Sequence, residues 1–183
     1  MSKLMLAIAI WGGLAIAIPT EGVWAGSETI EARETASDAA AIAREDFAEA
    51  FGDKYLKPGQ YLWKSKVDAT GEPRMVISLS DQLAYLYRGE SLIAVAAIST
   101  GEPGRDTPTG IFTVLLKKKF HRSIKYDNAP MPHMQMITDF GVALHAGHNP
   151  GYPASHGCIR LPAVFAAKLY GVTDVGTPVL IGA

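Results

Sequence analysis

The sequence predicts a mostly β domain, a sandwich or barrel with little helix. From Lys57 onward, short segments rich in β-branched and aromatic residues alternate with turn signals. One short helix is predicted after the only cysteine of the chain, and a second helical segment precedes the β-rich part. Domains made of many short strands form sandwiches or barrels, so we expect that architecture over residues 57–183.

The first 25 residues are typical of an export signal. Lys3 gives a short positive start, and residues 4–18 are apolar, which suits a signal peptide and is short for a membrane span. Pro19 ends this run, and the triplet Val-Trp-Ala that closes at Ala25 offers a cleavage site. We predict cleavage after Ala25, a periplasmic location and no stable membrane insertion after cleavage. An uncleaved anchor is the alternative.

Residues 26–56 are predicted to contain a helix that acts as a linker or as a brace packed on the β-rich part. Thr35 and Asp38 have the spacing of a capping box, and Gly52 is a typical C-terminal stop. A rough apolar stripe lies between them, at Ile42, Phe47, Ala50 and Phe51. This segment carries 3 basic and 8 acidic side chains, and residues 57–183 carry 13 basic and 9 acidic ones. The mildly basic body suits an anionic partner, or its charge only keeps the protein in solution.

Five strands are predicted before a long central loop and two after it. They span residues 61–67, 74–80, 83–87, 92–99 and 111–116, and then 142–145 and 179–181. A short helix is predicted with Pro162 at its first position and Gly171 just after its end. Residues 117–141 fit no regular element, and long loops of this kind often cover a binding site, so we predict a lid.

Cys158 is the only cysteine among the 183 residues and lies in the run Ser155-His156-Gly157-Cys158-Ile159-Arg160-Leu161. A lone cysteine in an exported protein has no partner in its own chain, so it is either inert or a reactive thiol. A thiol attacks a carbonyl as the thiolate, and a nearby histidine lowers the thiol pKa by forming an ion pair. His148 and His145 stand ten and thirteen residues upstream. The sequence therefore favours a cysteine nucleophile with a histidine base.

The neighbours of Cys158 also predict how developing charge is stabilised. In a tight turn permitted by Gly157, three backbone N–H groups can converge on one point as an oxyanion hole, those of His156, Gly157 and Cys158. Arg160 offers a planar fork for a substrate carboxylate, and a structural pair with a buried acid is an equally open interpretation. His121 and His133, in the central loop, are expected to be exposed.

The run around Cys158 resembles the signature of the L,D-transpeptidase catalytic domain of the YkuD type. That signature begins with Ser, one of a few residues, Gly and Cys, continues with either Ile or Val, and ends with Arg. Residues 76–79 with 84–87 resemble the opening hairpin of the family, and residues 99–101 with 107–112 resemble its central turn. The resemblance covers roughly residues 60–182 and points to the ErfK/YbiS-like branch. It implies an L,D-transpeptidase-like β-sandwich or barrel over residues 57–183, which follows the predicted signal peptide, 1–25, and the predicted helical linker, 26–56.

The resemblance also implies a reaction. Cys158 would attack the carbonyl of the diamino acid in a peptidoglycan tetrapeptide stem, expel the terminal D-alanine and form a thioester. An amine of another stem would accept the acyl group, and water, a free D-amino acid or a protein lysine are the other acceptors. His145 would be the base, oriented by the backbone carbonyl of Ala146, with His148 as a possible substitute. Four residues are expected to bind the substrate: Ser155, Arg160, Tyr126 and Met131.

Two other classes of protein stay open at this point. His145, His148, His156 and Cys158 are residue types that bind zinc, although the spacings H-x-x-H and H-x-C are not common in closed zinc sites. A wall-binding protein with an inactive site is the second alternative. We expect peptidoglycan stem peptides as partners, no nucleic acid, no cofactor and no metal, and the sequence leaves the oligomeric state open.

Overall fold

The computed structural model of the protein describes residues 26–52, 54–64 and 70–183. Within these ranges the chain forms two β-sheets and two helices, which confirms the predicted mostly β class with an N-terminal helical segment. The predicted signal peptide, residues 1–25, lies outside these ranges, and its cleavage stays a prediction. In the part of the chain that the structure describes, no helix is long and apolar enough to cross a membrane.

The longest connections between the elements join β4 to β5, β6 to β7 and β8 to β9. In chain order they are α1 (Ile30–Phe51), β1 (Tyr61–Trp63), β2 (Pro73–Ser78), β3 (Leu83–Arg88), β4 (Ser91–Ala97), β5 (Gly110–Thr113), β6 (Leu116–Lys118), β7 (Met134–Met136), β8 (Ala143–Ala146), β9 (Ile159–Leu161), α2 (Ala163–Val172) and β10 (Pro178–Gly182). Six strands form one sheet in the order β1-β4-β3-β2-β10-β5, and four form the other in the order β6-β7-β8-β9.

The six-stranded sheet is buried on both faces. On β2, Met75 and Ile77 belong to the core between the two sheets, whereas Val76 belongs to the core beneath α1. Successive side chains of a strand point to opposite faces, so both sets must be apolar when both faces are covered. This explains why the predicted strands read as nearly continuous apolar runs without clear alternation.

Helix α1 covers the outer face of this sheet with small side chains. Its buried face consists mainly of alanines and one phenylalanine: Ala32, Ala36, Ala39, Ala40, Ala43 and Phe47. The backbones approach so closely that a Cβ on Gly182 would lie 2.5 Å from the carbonyl oxygen of Ala36. The predicted stripe was wrong at Ile42, which is 41% exposed.

The start of α1 also differs from the predicted capping box at Thr35. The N-cap is Thr29, whose hydroxyl oxygen accepts a hydrogen bond from the Ala32 N–H at 3.2 Å. Thr35 lies inside the helix, and its hydroxyl donates to the carbonyl of Glu31. An N-cap residue satisfies an N–H group that has no partner within the helix, and Thr29 already does this. Gly52 ends the helix as predicted, with φ of 76°.

The prediction that residues 117–141 contain no regular element was wrong. Strand β6 ends within this range and β7 lies inside it, and the two pair in antiparallel fashion. The pairing continues irregularly beyond β7, because the Met131 N–H donates to the His121 carbonyl and the Ser123 N–H donates to the Ala129 carbonyl, each at 2.9 Å. We call residues 119–133 the lid hairpin. The two short strands that flank it, β6 and β7, lack the β-branched residues that usually indicate a strand.

Helix α2 lies against β8 and completes the core between the sheets. Phe165, Ala166 and Leu169 form its buried face. Pro162 is the N-cap rather than the first helical residue, and the helix continues through Gly171 to Val172. The Lys117 ammonium donates to the carbonyls of Tyr170 and Thr173, so it satisfies groups that the helix end leaves unpaired.

Close packing of α1 on the sheet makes a prediction about stability. Ala43 is fully buried beneath the helix, whereas Ala41 on the opposite face is exposed. Replacing Ala43 with Leu forces extra methylene groups into a filled space, and we expect a loss of about 1–3 kcal/mol in the free energy of unfolding. Ala41→Leu, the matched control, should change it by less than about 0.5 kcal/mol. Equal urea midpoints for the two variants would contradict the packing described for α1.

Candidate active site

Residues 155–158 form a tight turn that presents Cys158. The Ser155 hydroxyl donates to the Cys158 carbonyl and accepts from the Gly157 N–H at 3.1 Å. Gly157 has φ of 107°, a conformation that L side chains rarely adopt, while a Cβ would have room there, with its nearest contact at 3.6 Å. Ser155 is 2% exposed and its hydroxyl is engaged within the turn. The hydroxyl therefore stabilises the turn, and the role of Ser155 in substrate binding stays a prediction.

A second segment holds this turn in place. The Thr107 hydroxyl donates to the Gly157 carbonyl at 2.8 Å and accepts from the Gly101 N–H at 2.9 Å. Gly101 also forms a β-bridge with Ser155. Sequence reasoning identified this region only as a turn and missed the part that Thr107 plays, because a hydrogen bond across 50 residues leaves no local signal.

Strands β8 and β9 bring the predicted catalytic residues together. They pair in parallel, with His145 opposite Arg160. Side chains alternate along a strand, so Cys158, two residues before Arg160, lies on the same face as His145 and Arg160. All three side chains line one cavity of about 530 Å³. We call it the histidine cavity.

His145 is held in one orientation. It is 7% exposed, and its Nδ1 lies 2.8 Å from the carbonyl oxygen of Ala146. A carbonyl oxygen only accepts hydrogen bonds, so Nδ1 carries the proton and Nε2 of the neutral ring is free to accept one. The structure therefore brings together His145 and Ala146 as the resemblance implied. His148 also lines the histidine cavity but is exposed on the loop after β8.

The electrostatics of the pair differ from the predicted ion pair. Burial raises the pKa of the Cys158 thiol above its ordinary value of 9.0. Burial also lowers the pKa of His145 below its ordinary value of 6.5, and the positive charge of Arg160 acts in the same direction. Desolvation disfavours whichever form is charged. At neutral pH the two groups therefore rest as thiol and neutral imidazole.

The backbone donors near Cys158 are fewer than the sequence suggested. The Gly157 N–H already donates to Ser155, which corrects its assignment to the oxyanion hole. Among the residues that the structure describes, the N–H groups of His156 and Cys158 have no acceptor. Two donors on either side of a turn suit a small anionic oxygen.

Arg160 has no carboxylate partner among the described residues, whose three ion pairs involve other arginines. The described residues thus give no support to a structural pair of Arg160 with a buried acid. The aliphatic part of Arg160 packs on Gly147, where a Cβ would lie 2.9 Å from its Cγ. The guanidinium thus stands in the histidine cavity, available to a carboxylate.

A second cavity, of about 440 Å³, is also lined by Cys158. We call it the methionine cavity, because Met131, Met134 and Met136 line it. The ring of Tyr126 in the lid hairpin packs on the ring of His156, with centroids 4.5 Å apart. Both cavities are lined by residues of the lid hairpin, Tyr126 and Met131, together with His156 and Cys158.

Several residues of the methionine cavity were missed by sequence reasoning. Arg105, Asp106 and Phe140 line it, and each lies in a turn without a motif of its own. His121, expected to be exposed, is partly buried there. His133 is also partly buried, with its ring 5.7 Å from that of Tyr170.

The zinc alternative has no support in the geometry. Over residues 26–52, 54–64 and 70–183, no three His, Cys, Asp or Glu side chains are grouped so that they could hold a metal ion. His145 directs its Nδ1 proton to a carbonyl, and His148 and His156 are exposed on separate loops.

Solved structures of similar fold are L,D-transpeptidases. An L,D-transpeptidase from Mycobacterium smegmatis is 23% identical, with a TM-score of 0.57 over 61% of this chain and 59% of that one. LD transpeptidase LdtMt1, solved in complex with imipenem, is 24% identical, with a TM-score of 0.54 over 60% and 58%. An L,D-transpeptidase from Xylanimonas cellulosilytica is 21% identical, with a TM-score of 0.58 over 80% and 76%. The chain thus spans about three-fifths of the length of the first two.

The family is shown by sequence. No curated protein sequence matches the chain significantly. The model of the YkuD family, described as the L,D-transpeptidase catalytic domain, matches residues 72–181. This range is well over half of the chain and includes Cys158, His145 and Arg160. The ErfK/YbiS-like branch stays a prediction, and the protein belongs to the YkuD family of L,D-transpeptidase catalytic domains.

Proposed function

We propose that this protein is a peptidoglycan L,D-transpeptidase with Cys158 as its nucleophile. It forms a thioester from a tetrapeptide stem and transfers the acyl group to an amine, which cross-links or remodels the cell wall. The observation that carries the proposal is the convergence of Cys158, His145 and Arg160 on one cavity, with His145 oriented by the Ala146 carbonyl. Membership of the family supplies the reaction class.

In the first step, His145 acts as a general base. As the Cys158 sulfur forms a bond to the stem carbonyl carbon, Nε2 of His145 takes the thiol proton. The electron pair of the C=O bond moves to oxygen, and the N–H groups of His156 and Cys158 donate to that oxyanion. A base is needed because burial raises the thiol pKa and leaves little thiolate at rest.

In the second step, the C–N bond to D-alanine breaks. The imidazolium of His145 gives its proton to the leaving amine, and the acyl group stays on sulfur as a thioester. An amine acceptor then attacks the thioester and gives a proton to His145, and the sulfur leaves and recovers that proton. Water in place of the amine gives L,D-carboxypeptidase activity, and a protein lysine gives protein anchoring.

The two cavities suit the two substrates of such a transfer. Cys158 lines both, so a donor in one cavity and an acceptor in the other can meet at the same carbonyl. Arg160 supplies a cation for a carboxylate in the histidine cavity. We propose that Tyr126 and Met131, on the inner face of the lid hairpin, contact the stem peptide, since both line each cavity.

We place this reaction in the periplasm, because residues 1–25 have the pattern of an export signal. The residue pattern is the support for this location. Partners there are stem peptides of peptidoglycan, with no nucleic acid and no cofactor in the reaction.

The function is tested by incubating the protein with a tetrapeptide stem and an amine acceptor. We expect release of D-alanine, a cross-linked product, and a thioester adduct in the intact-protein mass. A carbapenem should acylate the same thiol, as the complex of LdtMt1 with imipenem suggests. Cys158→Ala should keep the fold and lose turnover and adduct together. Turnover at the wild-type rate by Cys158→Ala would refute the mechanism.

The histidine variants test the base in the same assay. His145→Ala removes the proton acceptor, and the acylation rate should fall by about 10²–10⁴-fold. His148→Ala is the matched control, because His148 lines the same cavity but is exposed, and no carbonyl of the described residues orients its ring. It should acylate at nearly the wild-type rate. A larger loss for His148→Ala than for His145→Ala would reverse the assignment.

The pKa directions make a prediction about pH. The rate constant for acylation needs neutral His145, so it should fall as pH decreases through the lowered pKa of that residue. The acid limb of the profile therefore lies below pH 6.5, the ordinary histidine value. Alkylation of Cys158 by iodoacetamide should instead reach half its maximal rate above pH 9.0 in unliganded protein. An alkylation rate that is already maximal at pH 7 would show a stable thiolate–imidazolium pair and contradict the neutral resting state.

A further inference from the structure

We propose that the outer face of the lid hairpin docks the protein on the surface of an anionic lipid bilayer. Two large apolar side chains stand in solvent there, Phe120 at 83% exposure and Ile124 at 99%. Lys118, Lys119, Arg122 and Lys125 are exposed on the same segment, and the Lys119 ammonium lies 5.8 Å from the centroid of the Phe120 ring. Ile124 and Lys125 also line the methionine cavity, so Phe120, Lys118 and Arg122 form the part of this face that points away from the cavity. Apolar tips among basic residues are the combination that binds the interface of an anionic membrane.

The pairing within the lid hairpin fixes which side chains point outward. The His133 N–H donates to the Lys119 carbonyl at 2.9 Å, and Arg122 forms an antiparallel bridge with Pro130. His121 and Ser123 face inward and line the methionine cavity. Alternation along the strand then turns Phe120 and Arg122 to the outside. The exposure of Phe120 thus follows from this pairing.

The charges of this face are not neutralised by the rest of the protein. Among the described residues, none of the four cations takes part in an ion pair. Within residues 116–133, the only acidic residue is Asp127. Each Lys or Arg close to an anionic bilayer adds favourable free energy, and the contribution falls off with salt.

The apolar side chains favour a bilayer over a soluble polyanion. A polyanion would engage the cations and leave Phe120 and Ile124 in water. A bilayer offers anionic headgroups to the cations and an apolar layer to those two side chains. The contact is peripheral, which agrees with the expectation of no stable membrane insertion. It does not depend on the proposed reaction, since the residues involved lie outside the catalytic group of Cys158 and His145.

Vesicle binding tests the proposal on the full chain. The probes are vesicles of phosphatidylcholine alone and of phosphatidylcholine with phosphatidylglycerol. We expect the wild type to bind the anionic vesicles more strongly than the neutral ones. Phe120→Ser should bind the anionic vesicles about tenfold more weakly than the wild type, as expected for the loss of one buried apolar side chain. Lys118→Gln should weaken this binding about fivefold. Val175→Ser is the matched control, because Val175 is 63% exposed on another part of the surface. All variants share the same N-terminus, so differences report the hairpin.

A local probe keeps the test independent of any binding by residues 1–25. With vesicles of brominated phosphatidylglycerol, the Phe120→Trp variant should lose more tryptophan fluorescence than the Val175→Trp variant, which has the same background tryptophans. Equal quenching in the two variants would overturn the proposal. Anionic-vesicle binding that is salt-sensitive but equal in wild type and Phe120→Ser would also overturn it, and would assign the face to a polyanion. Transpeptidase assays on free stem peptide report separately on the proposed function.

Discussion

The parallel pairing of β8 with β9 is the constraint on which the site depends. It sets His145 opposite Arg160 and thereby puts Cys158 on the same face as both. A shift of one residue would turn His145 toward the core and separate the group. The strands are only four and three residues long, so their register needs external support. Two contacts provide this support: the β-bridge between Ser99 and Arg160, and the hydrogen bond from Thr107 to the turn at residues 155–158.

Burial of this group has a chemical consequence. It raises the pKa of the Cys158 thiol and lowers the pKa of His145, and both directions favour the neutral forms of the two groups. Thiolates are the species that oxidants and disulfides attack, so a neutral thiol is better protected. Such protection suits a lone cysteine in an oxidising compartment, which is the location that the predicted export signal of residues 1–25 indicates. The cost is that attack requires a correctly oriented base, and the Ala146 carbonyl meets that requirement.

The sequence predicted the β-rich class and the residues that converge on Cys158, because strand composition and the cysteine run are local signals. It placed strands close to β2, β3, β4 and β10, whose apolar runs are long. It missed β6, β7 and β9. Lys, Gln and Met in the first two carry little strand preference, and β9 is only three residues long. It also predicted an ion pair for Cys158, whereas burial favours the neutral forms. The depth of burial arises only when distant segments meet, so no local signal in the sequence indicates it.

The central claim is that the Ala146 carbonyl fixes His145 as the neutral tautomer with the proton on Nδ1. Nitrogen-15 chemical shifts of the histidine rings, assigned with the His145→Ala variant, measure this directly. At pH 7 we expect Nδ1 of His145 to be protonated and Nε2 to show the shift of an unprotonated nitrogen. A proton on Nε2, or an imidazolium at pH 7, would contradict the account of how this site takes the proton from Cys158.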